Sequence, residues 1–270
     1  MNFFPKKQST VKELWMASLQ LYRKAYTQVW YLALIIGLVV TASPMLSMFY
    51  SINGYIGSKI MLVVLPVFMS FISVYFAAVM IRHIYNIGSE QLASLRDSRL
   101  FVSKKYITIA ASIIIITALV ILGIIIVQLV VISLINTNIL EVTPSRIVAI
   151  VVMFVSPVVF FIVVLFSMVV PLILFDDQII FGSIKGSCKL VWGNWWRTSF
   201  VVLPLVAIDF WLDVVMYSTT TNSLWYLAIG RVLFYILLCP LGNICVLMMF
   251  NDLKLRKSNA AVAAAPLETL

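Results

Sequence analysis

The chain has 270 residues, 63% of them hydrophobic and only 11% charged, and its mean hydropathy is +1.10. Soluble domains carry roughly a quarter charged residues, so the composition excludes a water-soluble globular protein and calls for lipid as solvent. The formal net charge of +9 is spread over several short segments, which suits anionic headgroups at a membrane surface and gives no reason to expect nucleic acid.

Thr10 opens a Thr-Val-Lys-Glu capping box, in which Thr10 can accept from the Glu13 amide while Glu13 reaches back. The helix after it places Val11, Leu14, Trp15, Ser18, Leu21, Tyr22 and Ala25 on one face. Lys12, Glu13, Gln20, Arg23, Lys24 and Gln28 fall on the other. Such a pattern predicts an amphipathic helix lying in the interface and leading into a span. The first apolar run begins near Val29, so span 1 is expected to be retained rather than cleaved. Spans 1 and 2 are predicted over 30–50 and 59–81, with Asn53-Gly54 as the turn between them.

The segment 82–105 is polar again. Gly88 and Ser89 interrupt it, and Ser89 is expected to cap a short helix through Leu92, Leu95, Phe101 and Val102. Spans 3 and 4 are predicted over 106–135 and 147–175, each longer than the ~20 residues that cross the hydrocarbon, so they tilt or protrude. Their β-branched runs would suit strands in water, but in lipid the helix wins because each backbone group must be satisfied within its segment.

Between 175 and 197 lies a second amphipathic stretch. Asp177 is expected to cap its start. Apolar residues fall at 180, 184, 188, 191 and 195, and polar or small ones at 178, 182, 185, 186, 189 and 193. Spans 5 and 6 are predicted over 199–217 and 225–250. Residues 251–270 are expected to form a disordered cytoplasmic tail, basic at Lys254, Arg256 and Lys257.

The expected fold is therefore all-α and polytopic. Six transmembrane helices form three hairpins, each preceded by an amphipathic interfacial helix, in one bundle over 1–250. Sixteen of the nineteen Lys and Arg residues lie in the N-terminal segment, the 82–105 and 176–197 segments and the tail. The side with more Lys and Arg is expected to be cytoplasmic, with both termini there. A threefold repeat is also legible, with units over about 9–84, 88–175 and 177–250. Leu21, Leu100 and Leu190 each precede an aromatic and basic junction and then a span. Three cysteines without a paired spacing, Cys188, Cys239 and Cys245, are expected as reduced thiols.

The stretch 168–200 is an apolar span ending in Pro and an acidic residue, then Ser, then Leu-x-Trp-Gly-Asn, then a further span. It resembles the uncharacterised bacterial inner-membrane family typified by YciC, and the related membrane domain of glycerophosphoryl diester phosphodiesterases. The positions that carry the resemblance are Pro171, Asp176 or Asp177, Ser187, Leu190, Trp192, Gly193 and Asn194. The resemblance implies a location in the bacterial inner membrane and a fold more than an activity. No phosphodiesterase catalytic domain is recognisable beside it.

Intramembrane charge supplies the other candidate site. Asp209 and Asp213 stand four residues apart on span 5, and Arg231 lies at a matching depth on span 6. A bare charge in mid-membrane costs at least ~2.5 kcal/mol, so pairing is expected. Two readings stay open: a structural Asp213–Arg231 pair, or a carboxylate site that couples ions, with Asp209 deepest. Pro44, Pro66, Pro157, Pro171, Pro204 and Pro240 are expected to shape the spans. His83, the sole histidine, is expected as an interfacial anchor, and Ser98, Ser183 and Ser187 are expected to lack a partner base. No metal site and no cofactor are expected.

The leading functional expectation is a non-enzymatic envelope protein of the inner membrane, with a structural or lipid-linked accessory role and anionic headgroups as partners. The alternative is a small secondary transporter using Asp209, Asp213 and Arg231. An enzyme of lipid metabolism is the weakest of the three, since Asp176 and Asp177 alone do not make a catalytic constellation.

Overall fold

The computed structural model describes residues 3–5, 7–52, 58–136, 144–218 and 224–263, and helix is the only regular secondary structure among them. The helices are α1 (Val11–Ile52), α2 (Ser58–Gly88), α3 (Leu95–Asn136), α4 (Pro144–Phe166), α5 (Val169–Phe175), α6 (Ile180–Val191), α7 (Trp195–Ser218) and α8 (Leu224–Ala263), with a 3-10 turn at Trp192–Asn194. Five stretches among the described residues are long and apolar enough to cross a membrane: Val11–Ala42, Val64–Gly88, Leu95–Val130, Val155–Phe175 and Tyr226–Asn259. That architecture is compatible with an integral, multi-pass membrane protein. The predicted span 5 is helical as α7, but most side chains of its second half lie outside the described residues. The Asn53-Gly54 turn also lies outside them.

The capping box at Thr10 forms as expected. The Glu13 amide donates to Thr10 Oγ1 at 3.2 Å, and the Thr10 amide donates to Glu13 Oε2 at 2.6 Å. Beyond the cap, the expected interfacial helix and separate span are instead a single element. α1 is one helix of 42 residues. No proline and no glycine occurs between Val11 and Gly37, and the inward face keeps its helical period without a break. Leu14, Ser18, Leu21, Ala25, Val29, Leu32 and Ile36 are all buried. This face packs most extensively on α8 and α2, so it serves as protein core. The predicted polar face, from Lys12 to Gln28, is exposed.

α3 is likewise continuous, and its start corrects the expected cap. Ser94, not Ser89, is the capping residue. The Asp97 amide donates to Ser94 Oγ at 3.2 Å, and the Ser94 amide donates to Asp97 Oδ2 at 2.8 Å. Ser89 instead closes α2, its hydroxyl donating to the Tyr85 carbonyl at 2.8 Å. Ser94→Ala is expected to destabilise the protein by about 1 kcal/mol, as loss of an N-cap does. Faster amide exchange confined to the first turn of α3 is the measurement; unchanged exchange there would count against the cap.

A distinct amphipathic helix is separate from the helix that follows it only in the third unit, where α6, the 3-10 turn and α7 succeed one another. The repeat leucines divide differently: Leu21 and Leu190 are buried, whereas Leu100 is exposed. Predicted span 4 is also interrupted, because Ser167 and Met168 separate α4 from α5. Pro171 has no amide hydrogen to offer the Ser167 carbonyl four residues back, which is where the helix gives way. α2, α4, α7 and α8 instead run through Pro66, Pro157, Pro204 and Pro240. The tail expectation is corrected as well: 251–263 is helical, the end of α8, while 264–270 lies outside the described residues. Cys245 is buried, Cys188 and Cys239 are half-buried, and all three are thiols.

Candidate functional site at the basic end

The four basic segments meet at one end of the bundle. The break before Pro171 organises one side of it. Beside that break, Ser187 of α6 donates to the Leu165 carbonyl at 2.7 Å. Ser183, Ser187, Leu190 and Val191 form the buried face of α6, so small residues let the helix lie close to α4 and α5. At the other end of α5, Lys105 of α3 donates to the carbonyls of Ile173 and Leu174 at 3.1 and 3.2 Å. A cation suits the negative end of a helix.

The same ammonium binds Asp177, which overturns the expectation that this carboxylate caps α6. The residue flanking α6 is Ile179, with no side-chain cap. Asp177 adopts φ 51, a left-handed conformation that Asp tolerates better than most residues, and its carboxylate reaches Lys105. The hydrogen bond and the charge of Lys105 hold the Asp177 carboxyl below its ordinary range. Asp176 turns the other way and pairs with Lys254 of α8 at 2.6 Å. The two adjacent acids thus join α5 to α3 and to α8.

A second knot lies deeper. Asp252 of α8 is fully buried. Arg256, one turn on, donates to its Oδ2 at 2.8 Å, and Arg197 at the start of α7 lies 3.1 Å from the same oxygen. The Ser9 amide donates to Oδ1 at 2.8 Å. Both guanidinium groups also donate to the Ser9 carbonyl. The segment before α1 is fixed further back too. The Phe3 amide donates to the Gly88 carbonyl at 3.2 Å, and Phe4 stacks on Tyr85 with ring centres 5.1 Å apart. A Cβ on Gly88 would stand 2.8 Å from the Phe4 ring, so the glycine admits the strap.

Aromatic rings surround Arg82 in the middle of this layer. Its guanidinium lies 4.1 Å from the centre of Phe101 and 5.6 Å from that of Phe175. His83 is buried rather than an interfacial anchor. Its Nδ1 lies 3.4 Å from Ser98 Oγ, which also accepts from Asn86 at 3.1 Å. Ser98 therefore has a histidine neighbour, contrary to expectation, because the cap at Ser94 sets the register of α3 against α2. Both side chains are enclosed in the α2–α3 contact, and the trio joins two helices as polar groups do inside membranes.

Comparison with protein-family models, characterised proteins and solved structures finds no match to this chain.

What the basic end leaves exposed is aromatic and cationic. Phe181, Lys185, Lys189, Trp192 and Trp196 are exposed along α6, the turn and the start of α7, the two tryptophans being 69% and 72% exposed. Trp195 turns in against Phe161, with ring centres 5.8 Å apart. An open groove of about 450 Å³ runs along this turn past Asn194. A Cβ on Gly193 would meet nothing, so that motif glycine fills no packing role. Thus the motif divides by role: Pro171, Asp176, Asp177, Ser187 and Leu190 hold the fold, while Trp192, Gly193 and Asn194 lie at the surface.

The intramembrane cluster is only partly in view. Arg231 is buried on α8, its guanidinium 5.8 Å from the centre of the Tyr235 ring. The side chains of Asp209 and Asp213 lie outside the described residues, and so does the expected Asp213–Arg231 pair. Asp252 and Ser9 were missed by sequence reasoning. Asp252 carries a signal, being an acid four residues before Arg256 on a helix. Ser9 carries none, since its backbone does the work.

Proposed function

We propose that the protein is a non-enzymatic integral membrane protein with a structural or lipid-linked accessory role. It would sit in a bacterial inner membrane with its basic end and both termini cytoplasmic and with α7 as a sixth crossing, in a fold shared with the YciC-type family. The observation that carries this reading is the exposed stretch from α6 through the 3-10 turn into the start of α7, which carries Lys185, Lys189, Trp192 and Trp196. Indole rings favour the headgroup level, and lysines there attract anionic lipid at about 1 kcal/mol each. The charged groups behind this face are occupied in joining helices, which favours a scaffold over a reaction centre. In proteoliposomes, brominated lipid of headgroup depth should quench the emission of Trp192 and Trp196 more than lipid brominated deep in its acyl chains. Equal quenching at both depths would remove the interfacial placement.

Burial of Arg231 within an apolar helix favours one other reading, a small secondary transporter using Asp209, Asp213 and Arg231. Proton or solute flux in the same proteoliposomes, abolished by Asp209→Asn, would establish transport and displace the accessory role.

A further inference from the structure

A second groove, of about 320 Å³, lies between α5, α6 and the end of α8. Its inner wall is apolar, formed by Leu172 and Leu190 of the core. Its rim is charged. Lys254 stands there bound to Asp176, and Lys257 stands one turn along α8 with no hydrogen bond or ion pair among the described residues. Two ammonium groups against one carboxylate leave the rim with an excess positive charge.

The groove also holds a polar atom with no match. Gln178 Oε1 is buried and accepts no hydrogen bond. It folds into the groove because residue 186 is glycine: a Cβ there would stand 2.6 Å from that oxygen and 3.2 Å from Leu172. A buried acceptor left unsatisfied costs free energy, so a donor belongs in this place. One ligand chemistry meets all three walls: an anion for Lys257 and Lys254, a hydroxyl to donate to Gln178, and a hydrocarbon portion against Leu172 and Leu190.

We infer that this groove binds the headgroup of an anionic phospholipid that carries both a phosphate and a free hydroxyl. The phosphate lies against Lys257 and the shared Lys254, and the hydroxyl donates to Gln178 Oε1. This rests on the reading of the basic end as facing headgroups, but the lipid is held by the groove on α8, away from the tryptophan face. Asp176 keeps Lys254 turned across the groove mouth, and Gly186 keeps the pocket open.

The test is native mass spectrometry of the detergent-purified full chain with short-chain phosphatidylglycerol as probe. Short-chain phosphatidylmethanol serves as the anion without a hydroxyl, and inorganic phosphate and glycerol phosphate as soluble competitors. One phosphatidylglycerol should be retained per chain. Lys257→Gln should weaken retention about fivefold, and Gly186→Ala should abolish it by displacing Gln178. Gln178→Leu should erase the preference for phosphatidylglycerol over phosphatidylmethanol while leaving anion binding in place. Lys257 is exposed, so its loss does not threaten folding. Retention indifferent to Lys257→Gln, or a preference for phosphatidylglycerol that survives Gln178→Leu, would overturn the inference. Equal competition by inorganic phosphate would overturn the lipid identity and leave a soluble-anion site. Neither result bears on flux or on tryptophan quenching, so the accessory reading stands or falls separately.

Discussion

Asp252→Ala is expected to destabilise the folded chain by about 3–5 kcal/mol, the loss usual when one partner of a buried ion pair is removed. The carboxylate is fully buried and receives Arg197, Arg256 and the Ser9 amide. Without it, two partly buried guanidinium groups are left sharing only the Ser9 carbonyl. Their repulsion is offset only weakly by Glu13, which acts on Arg197, and the Ser9 amide loses its acceptor. The unfolding midpoint in detergent should fall sharply, and limited proteolysis should open the segment before α1. Asp252→Asn should do less, since an amide oxygen still accepts from Ser9. Arg197→Gln should be milder again, because Arg256 still pairs with the carboxylate. An Asp252→Ala protein with the parent midpoint and an intact N-terminal segment would contradict a stabilising role for the buried knot.

Gly37→Leu should separate α1 from α8. A Cβ at this position would stand 2.9 Å from Tyr235 Cβ and 3.3 Å from the Val232 carbonyl. Neither neighbour is the loose end of a side chain, so relief needs a shift of one helix. Overpacking of this kind costs about 1–3 kcal/mol, occasionally more. A gain in helix propensity of about 1 kcal/mol does not offset it, since leucine adds three more carbons beyond the first clash. The contact lies on the most extensive helix pair of the bundle, so the loss should appear in overall stability rather than in local fraying. Gly230→Ala is the control. A Cβ there meets nothing, and the variant should be neutral or slightly stabilised. Equal behaviour of the two variants would refute the close crossing.

Helix positions and the meeting of basic segments were legible because both rest on local pattern. Composition demanded helices, and Thr10 with Glu13 marked a start that forms as written. Ser94 and Asp97 carry the same kind of mark as Thr10 and Glu13, but Ser89, directly after a glycine, offers a competing one. Helix continuity was not legible. An amphipathic face directed at lipid and one directed at another helix have the same period, so nothing in Leu14 to Ala25 told which would cover it. Asp177 misled for a related reason: an acid before a helix suits its amides, but Lys105, 72 residues away in the chain, competes for the same carboxylate. The buried knot at Asp252 was hidden because two of its partners, Ser9 and Arg197, come from distant segments. The resemblance stretch showed where residues mattered without telling which ones pack and which ones face outward.

The latch between Ser9 and Asp252 joins positions 243 residues apart, and it has a consequence for biosynthesis. Segments emerge from the ribosome in chain order, so Phe3 and Phe4 can settle on α2 early, whereas Ser9 has no acceptor for its amide until α8 is made. The inner face of α1 waits for α8 in the same way. A nascent chain halted before residue 252 would therefore hold Phe3 and Phe4 on α2 but leave Ser9 unlatched, and completion of α8 is the event that closes the second catch.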